Sequence, residues 1–308
     1  MIRKDQLPDV WGDAWRLAAD VPSKRFDVQP GTELKILETC EDWLAGRVEE
    51  DLVILPSLPQ TELHIGEGAR VEFYRLLGVN TPAEHLTETR IFMQRGARLQ
   101  MNTLTLGGGH VRHNVEVRMQ GEECEVAADG LYLMDREQQC DNYIFVEHAC
   151  PRCHSRELYK GIIDDAARAR FNGHVLVQDG AAKTEAYQTN RNILLTDKAH
   201  VDTRPFLEIY NDDVKCSHGS TIGQLDEQAL FYLMTRGISR RTAVTMLSYA
   251  FCDEVLRQIA APRLREAVED MVKKRLHGEL TSCAECAISC STPCNGPDAR
   301  FVIDPSKL

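Results

Sequence analysis

The sequence predicts a mainly β chain that closes in an α-helical subdomain. Three observations predict it. Between about residues 51 and 223, short runs rich in Val, Ile, Leu, Thr and Tyr alternate apolar and polar, as in Arg70-Val71-Glu72-Phe73-Tyr74 and Val115-Glu116-Val117-Arg118-Met119. Such alternation is the period of a half-buried strand. Glycine turn signals separate the runs, among them Gly66, Gly78, Gly121, Gly130 and Gly173. From Gln224 onward the apolar residues recur at helical spacing instead.

Residues 1–50 read as a short helical segment. Trp11, Trp15 and Leu17-Ala18-Ala19 suggest one amphipathic helix, and Cys40 to Leu44 a second. Within 51–223 a small residue followed by alternation recurs at Gly68-Ala69-Arg70, Gly96-Ala97-Arg98, Ala182-Lys183-Thr184 and Ala199-His200-Val201. Ala97 lies 28 residues after Ala69, and Ala199 lies 17 after Ala182. Irregular repeats of this size, with no helix between them, favour the stacked rungs of a β-solenoid over the competing β-sandwich. Gly107-Gly108-Gly109 lacks the Lys-Ser/Thr of a phosphate loop and reads as a turn.

Residues 224–278 read as a helical subdomain. Asp226 caps a first helix whose apolar face holds Leu230, Phe231, Leu233 and Met234, with Gly237 just past its end. Ser239 caps a second helix bearing Val244, Leu247, Phe251 and Ile259. Pro262 opens a third, which Gly278 ends. Residues 279–308 form a tail containing Cys, Ser and Pro.

With 308 residues, 43% of them hydrophobic, the chain can bury a sizeable core. The formal charge of −11 argues against a nucleic acid or an anionic membrane as partner. No run approaches the roughly 18 apolar residues of a membrane span. Met1 to Pro8 has two basic residues and no apolar stretch after them, so the expected compartment is the cytoplasm. That compartment keeps thiols reduced, which leaves the eleven cysteines as core filler, metal ligands or redox groups.

Four constellations can carry chemistry. Cys216 and His218 stand two apart and so point to the same side of a strand. A thiolate and an imidazole there can ligate a borderline metal or act as nucleophile and base; the plainer reading is a buried cysteine beside a surface histidine. Asp212 and Asp213 with His218 suggest a β-helix polysaccharide hydrolase. Inverting chemistry needs two carboxyls about 6.5–9.5 Å apart, whereas adjacent strand residues face opposite sides. Cys150-Pro151-Arg152-Cys153-His154 spells a c-type haem attachment site, which needs an exported context. Cys283, Cys286, Cys290 and Cys294 place four thiols within twelve residues, able to converge on one metal or cluster, as in a cysteine-tailed zinc or redox protein. His64, His85, His110, His113, His174 and His200 stand singly and read as surface or core residues.

The stretch from about His148 to Ser239 resembles the SufB/SufD family of the SUF iron–sulfur cluster assembly system, nearer its SufD side. The resemblance is carried by Ser155-Arg156-Glu157-Leu158-Tyr159-Lys160-Gly161, by Lys183-Thr184-Glu185-Ala186-Tyr187-Gln188-Thr189-Asn190-Arg191-Asn192, and by Asp212-Asp213-Val214-Lys215-Cys216-Ser217-His218-Gly219-Ser220-Thr221. It implies a right-handed parallel β-helix whose helical subdomain, over residues 224–260, docks a SufC-type ABC ATPase. It also implies pairing of two such β-helices, as a homodimer or with a SufB-like chain, and a transient iron–sulfur cluster held at the seam by Cys216 and His218. The chain would then be a scaffold rather than an enzyme, the ATPase activity lying in the partner, with a sulfur donor upstream and apo iron–sulfur proteins downstream. Two departures stand out. Asn190 occupies the place of a scaffold cysteine in SufB-like chains, and the tail from Cys283 to Cys294 is not a usual family feature.

Overall fold

A computed structural model describes residues 22–41, 44 and 46–277. Its first strands are β1 (Ser23–Val28), β2 (Glu33–Thr39), β3 (Leu52–Pro56), β4 (Gln60–Ile65), β5 (Arg70–Leu77), β6 (Glu84–Met93), β7 (Arg98–Thr105) and β8 (His110–Met119). Then follow β9 (Glu125–Met134), β10 (Gln139–His148), β11 (His154–Ile163), β12 (Arg168–Val177), β13 (Thr184–Leu194), β14 (His200–Ile209) and β15 (Val214–Gly223). Three helices close the described chain: α1 (Glu227–Thr235), α2 (Arg240–Leu256) and α3 (Pro262–His277).

The strands form a parallel β-solenoid of about six turns. One sheet runs β1-β4-β6-β8-β10-β12-β14 and the other β15-β13-β11-β9-β7-β5-β2-β3, so from β4 to β15 the chain alternates between sheets. One turn brings Arg70 onto Arg98. The step is not constant: it is shorter from Glu84 onto His110 and longer from Arg168 onto His200. The spacing of Ala69 and Ala97 is therefore one turn, since each immediately precedes one of the paired arginines. The closer spacing of Ala182 and Ala199 is not a turn, because it joins β13 and β14 on different sheets.

The expected helical start is corrected over residues 23–39, which are β1 and β2. Leu34 and Leu37 have helical spacing, but β2 pairs with β5 on one side and β3 on the other. That places Ile36 above Phe73 inside the solenoid, and tertiary pairing outweighs the weak local preference. Trp11, Trp15 and Trp43 lie outside the described residues, as do Cys283, Cys286, Cys290 and Cys294.

One corner repeats through six turns. Gly31, Gly68, Gly96, Glu123, Arg152 and Lys183 all have positive φ, between 58° and 69°. Each donates its backbone N–H to a carbonyl one turn on, from Gly31 to Glu67 O (2.8 Å) through to Lys183 to Asp213 O (2.6 Å). Only the first three are glycine. The left-handed conformation costs an ordinary residue about 1–2 kcal/mol, partly offset by the lower unfolded-state entropy of a non-glycine. A Cβ on Gly68 would meet nothing within 4 Å. Gly68→Ala is thus a purely conformational test. It is expected to lower stability by about 1 kcal/mol, read as a lower urea midpoint with an unchanged slope.

Two apolar cores result. Phe73, Met101, Val115, Val117, Phe171 and Val175 fill the solenoid. Leu76, Leu104, Leu131, Leu133, Leu158 and Ile162 point outward from the eight-stranded sheet and pack with Val255, Leu256, Leu264, Val268, Val272 and Leu276 of the helical region. The helix starts read in the sequence are in place, whereas Ile259 lies past the end of α2 and Gly278 lies outside the described residues. Asp226 accepts from the N–H groups of Gln228 and Ala229, Ser239 from Thr242, and Gly237 has φ 85°. No helix among the described residues is long and apolar enough to cross a membrane.

Candidate cluster site at the open end of the solenoid

β14 and β15 are the free edges of the two sheets at one end of the solenoid. An edge strand presents unpaired backbone N–H and C=O groups, a template for pairing with another chain. The last turn also exposes Tyr187, Phe206, Ile209, Tyr210 and Ile222.

Cys216 and His218 sit on β15. In the register with β13, Cys216 lies over Ala186, His218 over Gln188 and Ser220 over Asn190, all three lower residues being buried. Cys216 packs on the solenoid core, and the strand period puts His218 on the same side. Ser220 Oγ meets Thr203 Oγ1 of β14 at 2.8 Å, which ties the two edges together. Cys216 is half-buried and His218 exposed. Burial pushes the Cys216 thiol above its ordinary range, partly offset by a hydrogen bond with the Ala186 backbone.

Beneath this pair lies a polar column that no sequence signal announced. Glu157, one turn below Gln188, accepts a hydrogen bond from Gln188 Nε2 at 2.8 Å. Both are buried, and Glu157 Oε1 and Gln188 Oε1 have no hydrogen-bond partner. Burial pushes the Glu157 carboxyl up to about 8, against the opposing Gln188 bond. Gly173, across the interior on β12, makes room: a Cβ there would stand 2.3 Å from Gln188 Nε2. Asn190 is also buried, and it donates to Tyr132 Oη (3.1 Å) and to Tyr159 O (3.2 Å). Asn190 is therefore a structural amide of this buried column.

The other constellations come apart. Asp212 and Asp213 are exposed on the corner between β14 and β15, where the Asp213 carbonyl accepts from Lys183. Cys153 is fully buried within the solenoid core, whereas His154 Nδ1 lies 3.8 Å from Glu185 of the neighbouring strand with half its side chain exposed. The haem spelling thus does not present its residues together. Among the described residues, no group of three or more His, Cys, Asp or Glu is arranged to hold a metal ion. Cys216 and His218 are two donors at an open edge.

Residues 19–251 match the family model described as SUF system FeS cluster assembly, SufBD core domain. The chain belongs to the SufB/SufD family. Its SufBD core covers the whole solenoid together with α1 and most of α2. The chain is 35% identical over 216 residues to the iron–sulfur cluster assembly protein SufD of Escherichia coli, covering 70% of this chain and 51% of that protein. It is 33% identical over 226 residues to an iron–sulfur cluster assembly SufBD family protein of Synechocystis, covering 73% and 47%. To protein ABCI7, chloroplastic, of Arabidopsis thaliana it is 31% identical over 261 residues, covering 84% and 53%. It spans about half the length of these SufBD relatives. Family membership favours cluster assembly over the hydrolase reading of Asp212, Asp213 and His218.

Proposed function

We propose that the chain is a scaffold component of a SUF-type assembly complex that holds a nascent iron–sulfur cluster on Cys216 and His218. The observation that supports this reading is that they stand two residues apart on a strand at the free edge of its sheet. A second β-solenoid pairing along β14 and β15 would complete the coordination, and the exposed apolar side chains of the last turn suit that contact. The chain performs no turnover of its own in this reading. A SufC-type ATPase docks on residues 224–260, where Phe231, Tyr232 and Met234 of α1 are exposed, Phe231 at 69%. The thiols Cys283, Cys286, Cys290 and Cys294 form a candidate second site for zinc or a cluster.

Both donors must shed protons to bind metal, so cluster loading falls as pH is lowered, and the raised Cys216 thiol moves that fall to higher pH. The test is anaerobic reconstitution of the purified complex with iron and sulfide, with native mass recorded. Cys216→Ser is expected to lose the visible absorbance together with the iron and sulfide it reports. Unchanged loading in that variant overturns the assignment. An assembly of only this chain and the ATPase marks the homodimer; loading that requires a second kind of solenoid marks the heterodimer.

A further inference from the structure

Two buried thiols, Cys124 and Cys153, share one corner of the solenoid away from β15, with Cys150 three residues before the second. Cys124 immediately precedes β9 and Cys153 immediately precedes β11. The two strands pair with Glu125 against His154, and the His154 N–H donates to Cys124 O at 2.9 Å. The two cysteines thus occupy the same place in consecutive turns, about one strand spacing (roughly 4.8 Å) apart. That separation is within the range of roughly 4.4–6.8 Å that a disulfide spans between Cα atoms. Both residues are fully buried, and both sulfurs lie 3.3 Å from the same acceptor, Gly121 O. Cys124 Sγ also lies 3.1 Å from Gln94 O, and Cys153 Sγ 3.7 Å from Pro151 O. Cys150, just upstream of Cys153, is half-buried, with its sulfur 3.1 Å from Gln120 O.

Packing alone does not call for sulfur here. Ala69 and Ala97 fill the same corner in the two preceding turns and are equally buried. The corner is also held in place: Glu123 and Arg152, each just before a thiol, have positive φ, and Arg152 pairs with both Glu122 and Glu123.

We propose that Cys124 and Cys153 form a thiol–disulfide exchange site, with Cys150 as its entry thiol and a small-molecule disulfide as its oxidant. Cys150, as thiolate, attacks one sulfur of the oxidant R–S–S–R, forming Cys150–S–S–R and releasing R–S⁻. Cys153 then attacks the Cys150 sulfur and expels the second R–S⁻. Cys124 attacks Cys153 in turn, and Cys150 leaves, taking up the Cys124 proton. Two electrons pass from Cys124 and Cys153 to the oxidant, and the two protein thiol protons end on its two thiols. The order of attack follows the surroundings. The neighbouring Cys124 thiol and the Cys124 and Glu123 backbone hold the Cys153 thiol below its ordinary range, against the effect of burial. Cys124, beside Cys153 and itself buried, is pushed well up, and burial raises Cys150.

The full chain tests this directly. Trypsin cleavage after Arg118, Arg136, Arg152 and Arg156 places Cys124 in peptide 119–136, Cys140 and Cys150 in 137–152, where fragmentation tells them apart, and Cys153 in 153–156. The protein is incubated with glutathione disulfide, alkylated after denaturation, digested and mapped by mass spectrometry. Peptides 119–136 and 153–156 are expected to be joined, and to separate after dithiothreitol. Cys150→Ala should slow their joining by about tenfold or more, because it removes the accessible thiol. Cys124→Ala should divert the link to peptides 137–152 and 153–156. Alkylation of both Cys124 and Cys153 after exposure to the oxidant overturns the site. Joining at an unchanged rate in Cys150→Ala overturns the entry role. Neither result bears on cluster loading at Cys216.

Discussion

Arg275→Met is expected to destabilise the protein by about 3–5 kcal/mol, the cost of leaving a buried carboxylate without its partner. Arg275 reaches from α3 into the corner after β9. Its Nη1 and Nη2 donate to the two oxygens of Asp135 at 3.0 and 2.8 Å, and its Nε donates to Leu106 O at 3.1 Å. Both side chains are at most 2% exposed. Arg136 also approaches Asp135, at 3.4 Å, but it is half exposed and screened by solvent. The pair fixes α3, and with it the helical region, to the solenoid. The expected result is a lower guanidinium midpoint by far-UV circular dichroism. The double variant Arg275→Met with Asp135→Leu should recover most of the loss, because no buried charge is then left unpaired. A double variant as unstable as the single one would mean that packing, not the uncompensated charge, sets the cost.

The second large effect is a pH dependence. A carboxyl held at about 8 in the folded protein, against an ordinary value near 4.5, binds a proton in the folded state that the unfolded chain releases. Glu157 therefore supports folding fully below its unfolded value. Its contribution falls as pH rises through the interval between 4.5 and about 8, by up to about 1.4 kcal/mol per pH unit. Glu157→Gln keeps an acceptor for Gln188 Nε2 and has no proton to lose. Urea midpoints taken from pH 5 to 8.5 should show the variant gaining steadily on the parent chain. Parallel curves for the two proteins would show that Glu157 is ionised in the fold.

Much of the architecture was legible because short-range periodicities encode it. Alternation at Arg70–Tyr74 and Val115–Met119 marked strands. Asp226, Gly237, Ser239 and Pro262 marked helix ends, since a side-chain cap or a fixed φ is a local property. The shared face of Cys216 and His218 followed from the period of two. The strand β2 was not legible, because Leu34 and Leu37 satisfy a helical period equally well and only pairing with β3 and β5 decides between them.

What the sequence by itself determined is the class of fold, the helical close of the described chain and the resemblance to the SufB/SufD family. What only the tertiary structure decided is which side chain lies above which. Successive turns differ in length, short from Glu84 onto His110 and long from Arg168 onto His200, because the corners absorb a variable stretch of chain. No fixed repeat in the sequence therefore states the register. Hydrogen bonding between whole strands sets it. That register puts Glu157 under Gln188 and Gln188 under His218, leaves Asn190 as a buried amide, and brings Cys124 beside Cys153 from the next turn.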